Sequence, residues 1–115
     1  MVTTEKTIKM TRGDSRGFNF IVKDKSGTVQ ELDAAYFSVK ENPDDENYVF
    51  QKTLTDGITQ LSDGGYYVKI EPDDTKDLAK QKYYYDLELN IGDDVYTPRK
   101  GYLEIKWDVT REAQA

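Results

Sequence analysis

The chain has 115 residues, with 22 acidic and 16 basic side chains, a net charge of −6, and neither Cys nor His. A chain of this length buries about 65% of its unfolded surface around one core. Lacking Cys and His, it has no disulfide framework or thiolate site, and lacks the usual general base and the commonest transition-metal ligand. Its negative charge, with no basic stripe or basic amphipathic helix, disfavours nucleic-acid backbone and anionic lipid as partners.

The N-terminal stretch carries no apolar leader pattern, and no run approaches the ~20 apolar residues of a membrane span. The expectation is a protein made and kept in the cytoplasm unless it joins a larger assembly. Ile8 and Met10 flank Lys9 on one face of a first short strand. Phe18, Phe20 and Val22 form the apolar face of a second, ended by the turn Asp24-Lys25-Ser26-Gly27. Val29 to Leu32 reads as a short extended piece. Ala35, Phe37 and Val39 then alternate with Tyr36, Ser38 and Lys40, the period-two signature of a strand with one buried face. Asn42-Pro43-Asp44-Asp45 breaks it, because Pro removes a ladder donor and Asn and Asp favour turns. Tyr48 to Leu54 reads as a further strand whose inward face is open, since both phases carry apolar residues. Gly57 to Leu61 is short and extended, and Tyr66, Val68 and Ile70 define the next strand, entered through Gly64-Gly65.

Pro72-Asp73-Asp74-Thr75 opens the one helical signal. Pro suits the first turn and acids suit the N-terminal dipole, but only Leu78 and Ala79 are apolar, so one or two turns is the limit. An Asp-Thr pair before a strand that opens with Tyr is the layout of a tyrosine corner, here Asp74-Thr75 with Tyr83 or Tyr85. Tyr83, Tyr85, Leu87, Leu89 and Ile91 then alternate with polar neighbours. Gly92, Asp93 and Asp94 supply turn chemistry. Alternation resumes with Leu103, Ile105, Trp107 and Val109 on one side and Tyr102, Glu104, Lys106 and Asp108 on the other. Pro98-Arg99-Lys100 predicts a bulge, with pairing restarting at Gly101. Strands with turns at intervals of about ten residues predict an all-β fold. The specific expectation is an immunoglobulin-like antiparallel β-sandwich of about seven to nine strands over residues 1–110. It includes one short helical turn near 73–80 and a C-terminal tail at 111–115. With no inter-sheet disulfide, Trp107, Phe20 and Phe37 are expected to close the core.

Several constellations invite a functional reading. Arg12-Gly13-Asp14-Ser15 spells an adhesive tetrapeptide, although Gly-Asp after a strand is ordinary turn material. Asp44, Asp45, Asp73 and Asp74 fall in loops expected at one end of the sandwich, together with the Arg12–Ser15 turn, and are the candidate calcium ligands. They match no EF-hand spacing, and acidic loops are more often simply solvated. No pair of carboxylates is set apart by environment in the way that acid–base roles require, and no phosphate loop accompanies Gly64-Gly65. Neither an enzyme nor a cofactor is expected. The nine Tyr exceed what a core uses. Tyr36, Tyr84 and Tyr102 point away from the core on strands expected to share a sheet, and Tyr67 joins them as an interface candidate. Tyr favours protein contacts because its ring buries area while its hydroxyl finds a partner. Stabilising cross-strand aromatic pairing is the plainer explanation.

The opening IKMTRGDS, the following FNFIV and DKSGTVQELDAAYFSVKE, and the closing IEPDDTKDL, YYYDLEL and VYTPRKGYLEIKWDVT carry a resemblance. In this order they resemble small β-sandwich proteins of tail and baseplate modules of phages and prophages of Gram-positive bacteria. The N-terminal domain of phage baseplate upper proteins is similar. The resemblance implies a non-enzymatic virion or virion-assembly domain docking to other phage structural proteins, commonly in an oligomer. It would reside in the host cytoplasm during assembly and then in the virion. The chain ends directly after the sandwich, without the coiled coil and receptor-binding regions that often follow, so an accessory or adaptor component is expected rather than a receptor-binding protein. A carbohydrate-binding module and an acidic inhibitor that mimics nucleic acid are the alternatives. The first requires an accessible aromatic platform, and Trp107 accessibility separates it from a buried-Trp sandwich.

Overall fold

The computed structural model describes residues 3–109. Two sheets form a β-sandwich. Among the described residues, the elements in chain order are β1 (Thr4–Glu5), β2 (Ile8–Thr11), β3 (Arg16–Phe20), β4 (Ala34–Lys40), β5 (Phe50–Thr53), β6 (Ile58–Gln60), β7 (Tyr66–Ile70), α1 (Pro72–Thr75), β8 (Lys82–Ile91) and β9 (Asp94–Lys106). One sheet runs β1-β9-β8-β4-β5, with β2 also on β9; the other is β3-β7-β6. This is the immunoglobulin-like arrangement, with the B, E and D strands packed on the sheet that holds G, F and C. Both opening strands pair parallel with β9, so the short sheet has no strand outside β3 among the described residues. The expected C-terminal tail lies outside the described residues.

Alternation explains most of the core. In β4, Ala35, Phe37 and Val39 are buried and their neighbours are half-exposed. In β8, Tyr83, Tyr85, Leu87 and Leu89 face in, and Leu103 and Ile105 complete the hairpin from β9. The hairpin closes through Gly92-Asp93 between the paired Ile91 and Asp94. Gly92 has φ 59, suiting the first central position of a II′ turn whose twist matches the strands. Phe37 packs edge-on against Phe18 at 5.5 Å, and Phe20 stacks on Tyr66 at 5.5 Å.

Several local expectations need correction. Trp107 and Val109 do not face inward. Trp107 is 47% exposed and Asp108 is buried in its stead. β9 ends at Lys106, and the chain beyond it leaves the pleat because Asp108 turns in to meet Arg12. The core therefore closes with Phe37, Tyr66 and Tyr85, without Trp107. The bulge falls slightly earlier than expected. Leu87 pairs with Arg99 and Leu89 with Tyr96, so the extra residue sits at Thr97-Pro98, and pairing resumes at Arg99 rather than Gly101. Val29 to Leu32 contributes only the isolated bridge of Val29 with Lys23. Tyr48 to Leu54 shortens to β5, where the inward residue opposite Phe37 is Lys52.

The helical turn is a single turn, Pro72–Thr75, shorter than the expected 73–80. Asp74 accepts the Glu71 backbone N–H at 2.7 Å, tying the turn's entrance. Thr75 is fully buried, and its hydroxyl accepts the Gly13 N–H at 2.8 Å, which fastens the β2–β3 turn to α1. The tyrosine corner forms through Tyr83. Its hydroxyl donates to the Ala79 carbonyl at 3.3 Å, past the Asp-Thr pair, while Tyr85 serves another purpose. No helix among the described residues is long and apolar enough to cross a membrane.

Candidate interaction face

The outer face of the β9-β8-β4-β5 sheet carries the densest set of unusual side chains. Because residues of one parity point outward, the pairing register assembles them into rows. One row runs Lys40, Tyr84, Tyr102, since Lys40 pairs with Tyr84 and Tyr84 with Tyr102. The next runs Gln51, Ser38, Asp86, Lys100. The third runs Thr53, Tyr36, Glu88. Apart from Thr53, these rows line an open groove of about 790 Å³, which Pro43, Tyr48 and Glu5 also line.

The aromatic row has its own order. The Tyr84 and Tyr102 rings lie 5.2 Å apart at a tilt of 53°. Lys82 lies over Tyr102 at 5.4 Å and Lys40 over Tyr48 at 5.2 Å, so ammonium groups meet ring faces at both ends of the stripe. Tyr48 belongs to this surface, but the ambiguous phase of its segment concealed it in the sequence. Tyr36 shares the groove yet sits beyond the polar row, separated from Tyr84 by Asp86 and Ser38. Tyr67 is on the other sheet, where its ring lies against Gly17, so it does not join the groove.

Asp86 is the electrostatic centre of the face. Burial among its neighbours pushes its carboxyl above the ordinary value, while Lys40 and Lys100 pull the other way. Neither lysine closes to an ion pair with it. The Lys100 ammonium reaches Glu5 instead, at 3.8 Å. Gln51 donates to the Ser38 hydroxyl at 2.9 Å, which fixes that end of the polar row. A half-buried carboxylate between aromatic rows, held without a close cation, is a costly arrangement for a bare surface.

The other candidate residues have structural roles. The Arg12 guanidinium meets Asp108 Oδ1 at 2.9 Å, lies over the Trp107 ring at 4.3 Å and reaches the Leu78 carbonyl at 3.4 Å. With Gly13 tied to Thr75, the Arg-Gly-Asp tripeptide is a fastening at the end of the sandwich and does not present Arg12 as a free ligand. Three of the four candidate calcium ligands are engaged separately. Asp74 pairs with Lys52 at 2.7 Å, Asp73 with Lys76 at 3.3 Å, and Asp45 accepts the Asn42 N–H at 3.0 Å. Asp44 joins no cluster with them, and no group of three or more His, Cys, Asp or Glu that would share a metal occurs among the described residues. Trp107 is accessible but lies outside the groove, with Arg12 over its ring.

No protein-family model matches the chain, and comparison with curated proteins returned no match.

Proposed function

We propose that this protein is a non-enzymatic docking module that acts through protein–protein contact, a structural or assembly component of phage or prophage tail-baseplate machinery. The observation that carries the docking role is the outer face. Tyr36, Tyr48, Tyr84 and Tyr102 share one groove with a half-buried Asp86 that no cation neutralises at contact distance. Tyr-rich faces with a few polar groups suit protein contacts, because rigid rings bury area at low entropic cost. The phage setting rests on the sequence resemblance. The partner fitting this face offers an Arg, Lys or amide donor to Asp86 and apolar surface to the rings.

A glycan is the second reading, favoured by the groove's mix of rings with Gln51, Asp86 and Lys100. The exposed Trp107 does not add to it, because that ring is away from the groove. The acidic-mimic reading is the weakest fit, since Lys40, Lys82 and Lys100 interrupt the acids on this face.

The test is the double substitution Tyr84→Ser and Tyr102→Ser, assayed by light scattering and by co-purification with co-expressed neighbouring gene products. Loss of assembly with a melting temperature within a few degrees of the parent supports the docking face. Assembly that persists unchanged rejects it, and selective binding on a glycan array transfers the face to the carbohydrate reading.

A further inference from the structure

A second groove is lined by β3 and the residues just after it, by the opening strand and by the bulged part of β9, and it shares no lining residue with the tyrosine face. It measures about 510 Å³. Its floor is apolar, from Phe18, Phe20 and Leu87, and its rim carries Lys6, Lys23 and Arg99. No acidic residue lines it, although acids outnumber bases in the chain by 22 to 16. Arg99 is held in place from below. Its guanidinium rests on the Phe18 ring at 4.5 Å, and its Nε donates to the Tyr85 hydroxyl at 3.1 Å. Arg99 lines the groove, and its terminal nitrogens have no hydrogen-bond acceptor among the described residues. One wall is β3, whose outer edge has no strand partner among the described residues because both opening strands went to β9. An unpaired edge above an incompletely covered apolar floor is a template for strand addition.

We infer that this groove binds an extended segment of a partner protein, which adds as a strand along β3, lays alternate apolar side chains over Phe18 and Phe20, and sets a carboxylate on Arg99. Charge complementarity selects the acid: three cations and no acid line the groove of a chain whose net charge is −6, and Arg matches a carboxylate with two parallel N–H donors. Main-chain hydrogen bonds along β3 supply sequence-tolerant affinity, and the Arg99 contact supplies selectivity. This contact is separate from the tyrosine face and would give the module two attachment points.

The test selects a displayed library of random dodecapeptides against the full chain. Enriched peptides are expected to carry Asp or Glu flanked by alternating apolar residues. Their affinity, read by fluorescence anisotropy, is expected to fall at least tenfold on Arg99→Gln and also on Lys23→Glu, an exposed position where folding is not at stake. Added peptide should newly protect β3 amides from hydrogen exchange. The proposal is overturned by no acidic enrichment or no binding peptide, by affinity indifferent to both charge changes, or by protection elsewhere than β3. Only the β3 amides that point away from β7 report on the groove, and the proposal is also overturned if these are already protected in the free monomer, or become protected only as the mass doubles with concentration, since the groove would then be filled by the chain itself or by a second copy.

Discussion

The Lys52 ammonium lies 2.7 Å from the Asp74 carboxylate, joining the inner face of edge strand β5 to the helical turn, with side-chain exposures of only 8% and 17%. An inward lysine at the position opposite Phe37 is tolerated because its stem packs on Gly57 and its head finds a carboxylate that also holds the Glu71 N–H. Removing one partner of such a pair strands the other charge. Asp74→Asn is therefore expected to cost about 3 kcal/mol, because the ammonium has little water to retreat to. Lys52→Met keeps the stem, leaves Asp74 its backbone donor, and is expected to cost about 1 kcal/mol or less. Urea midpoints of the two variants check this order; equal losses would contradict it.

Asp86 makes the opposite prediction. Its carboxyl titrates above the ordinary aspartate value of 3.8 because burial disfavours the charge, so the folded state binds its proton more tightly than the unfolded state. Its contribution to stability is present below that value and is lost as pH rises through the folded-state value. Asp86→Asn should raise the melting temperature at neutral pH, and the gain should shrink toward zero on acidification. The same variant should weaken partner binding, the trade expected where a site keeps a costly group for function. Melting curves across acid and neutral pH decide the first point, and a variant that destabilises at neutral pH refutes it.

Tyr85 and Gly101 together hold the opening strands. The Tyr85 hydroxyl donates to the Lys6 carbonyl at 2.6 Å, and Lys6 crosses directly above Gly101, where a Cβ would collide with that carbonyl oxygen. Gly101 also has φ 152, outside the range of most L-residues. Tyr85→Phe should cost about 2 kcal/mol by leaving the carbonyl unpaired. Gly101→Ala should cost at least as much. Both should speed amide exchange at β1 and the start of β2 more than at β4, and uniform acceleration would argue against a local hinge.

Trp107, the single tryptophan, should report its surroundings directly. At 47% exposure it should emit toward the red and be quenched by iodide in the folded state. Arg12→Ala should increase that quenching and destabilise the fold by about 3 kcal/mol, since it uncovers the ring and takes the guanidinium from the buried Asp108. A folded protein whose tryptophan resists iodide would contradict the structure of this end of the sandwich.

The alternation in β4 and β8 was readable because a strand's side chains alternate by covalent geometry, and a row such as Ala35, Phe37, Val39 has one way to be buried. Tyr36, Tyr84 and Tyr102 were placed outward by the same rule. Tyr48 was missed because its segment has apolar residues in both phases. Trp107 was misplaced because the rule presumes that the strand continues, and β9 ends at Lys106 once Asp108 is drawn inward by Arg12.

By itself, the sequence determined an all-β chain, its turns, and which residues of each strand face together, all properties of near neighbours. Only the tertiary structure decided what lies opposite each face. It turned Lys52 inward to Asp74, committed the Arg-Gly-Asp turn to Asp108 and Thr75, left Asp86 between tyrosine rows, and left the outer edge of β3 without a strand partner among the described residues. Those outcomes depend on groups far apart in the chain, whose burial and charge are set by packing, and no local period records them.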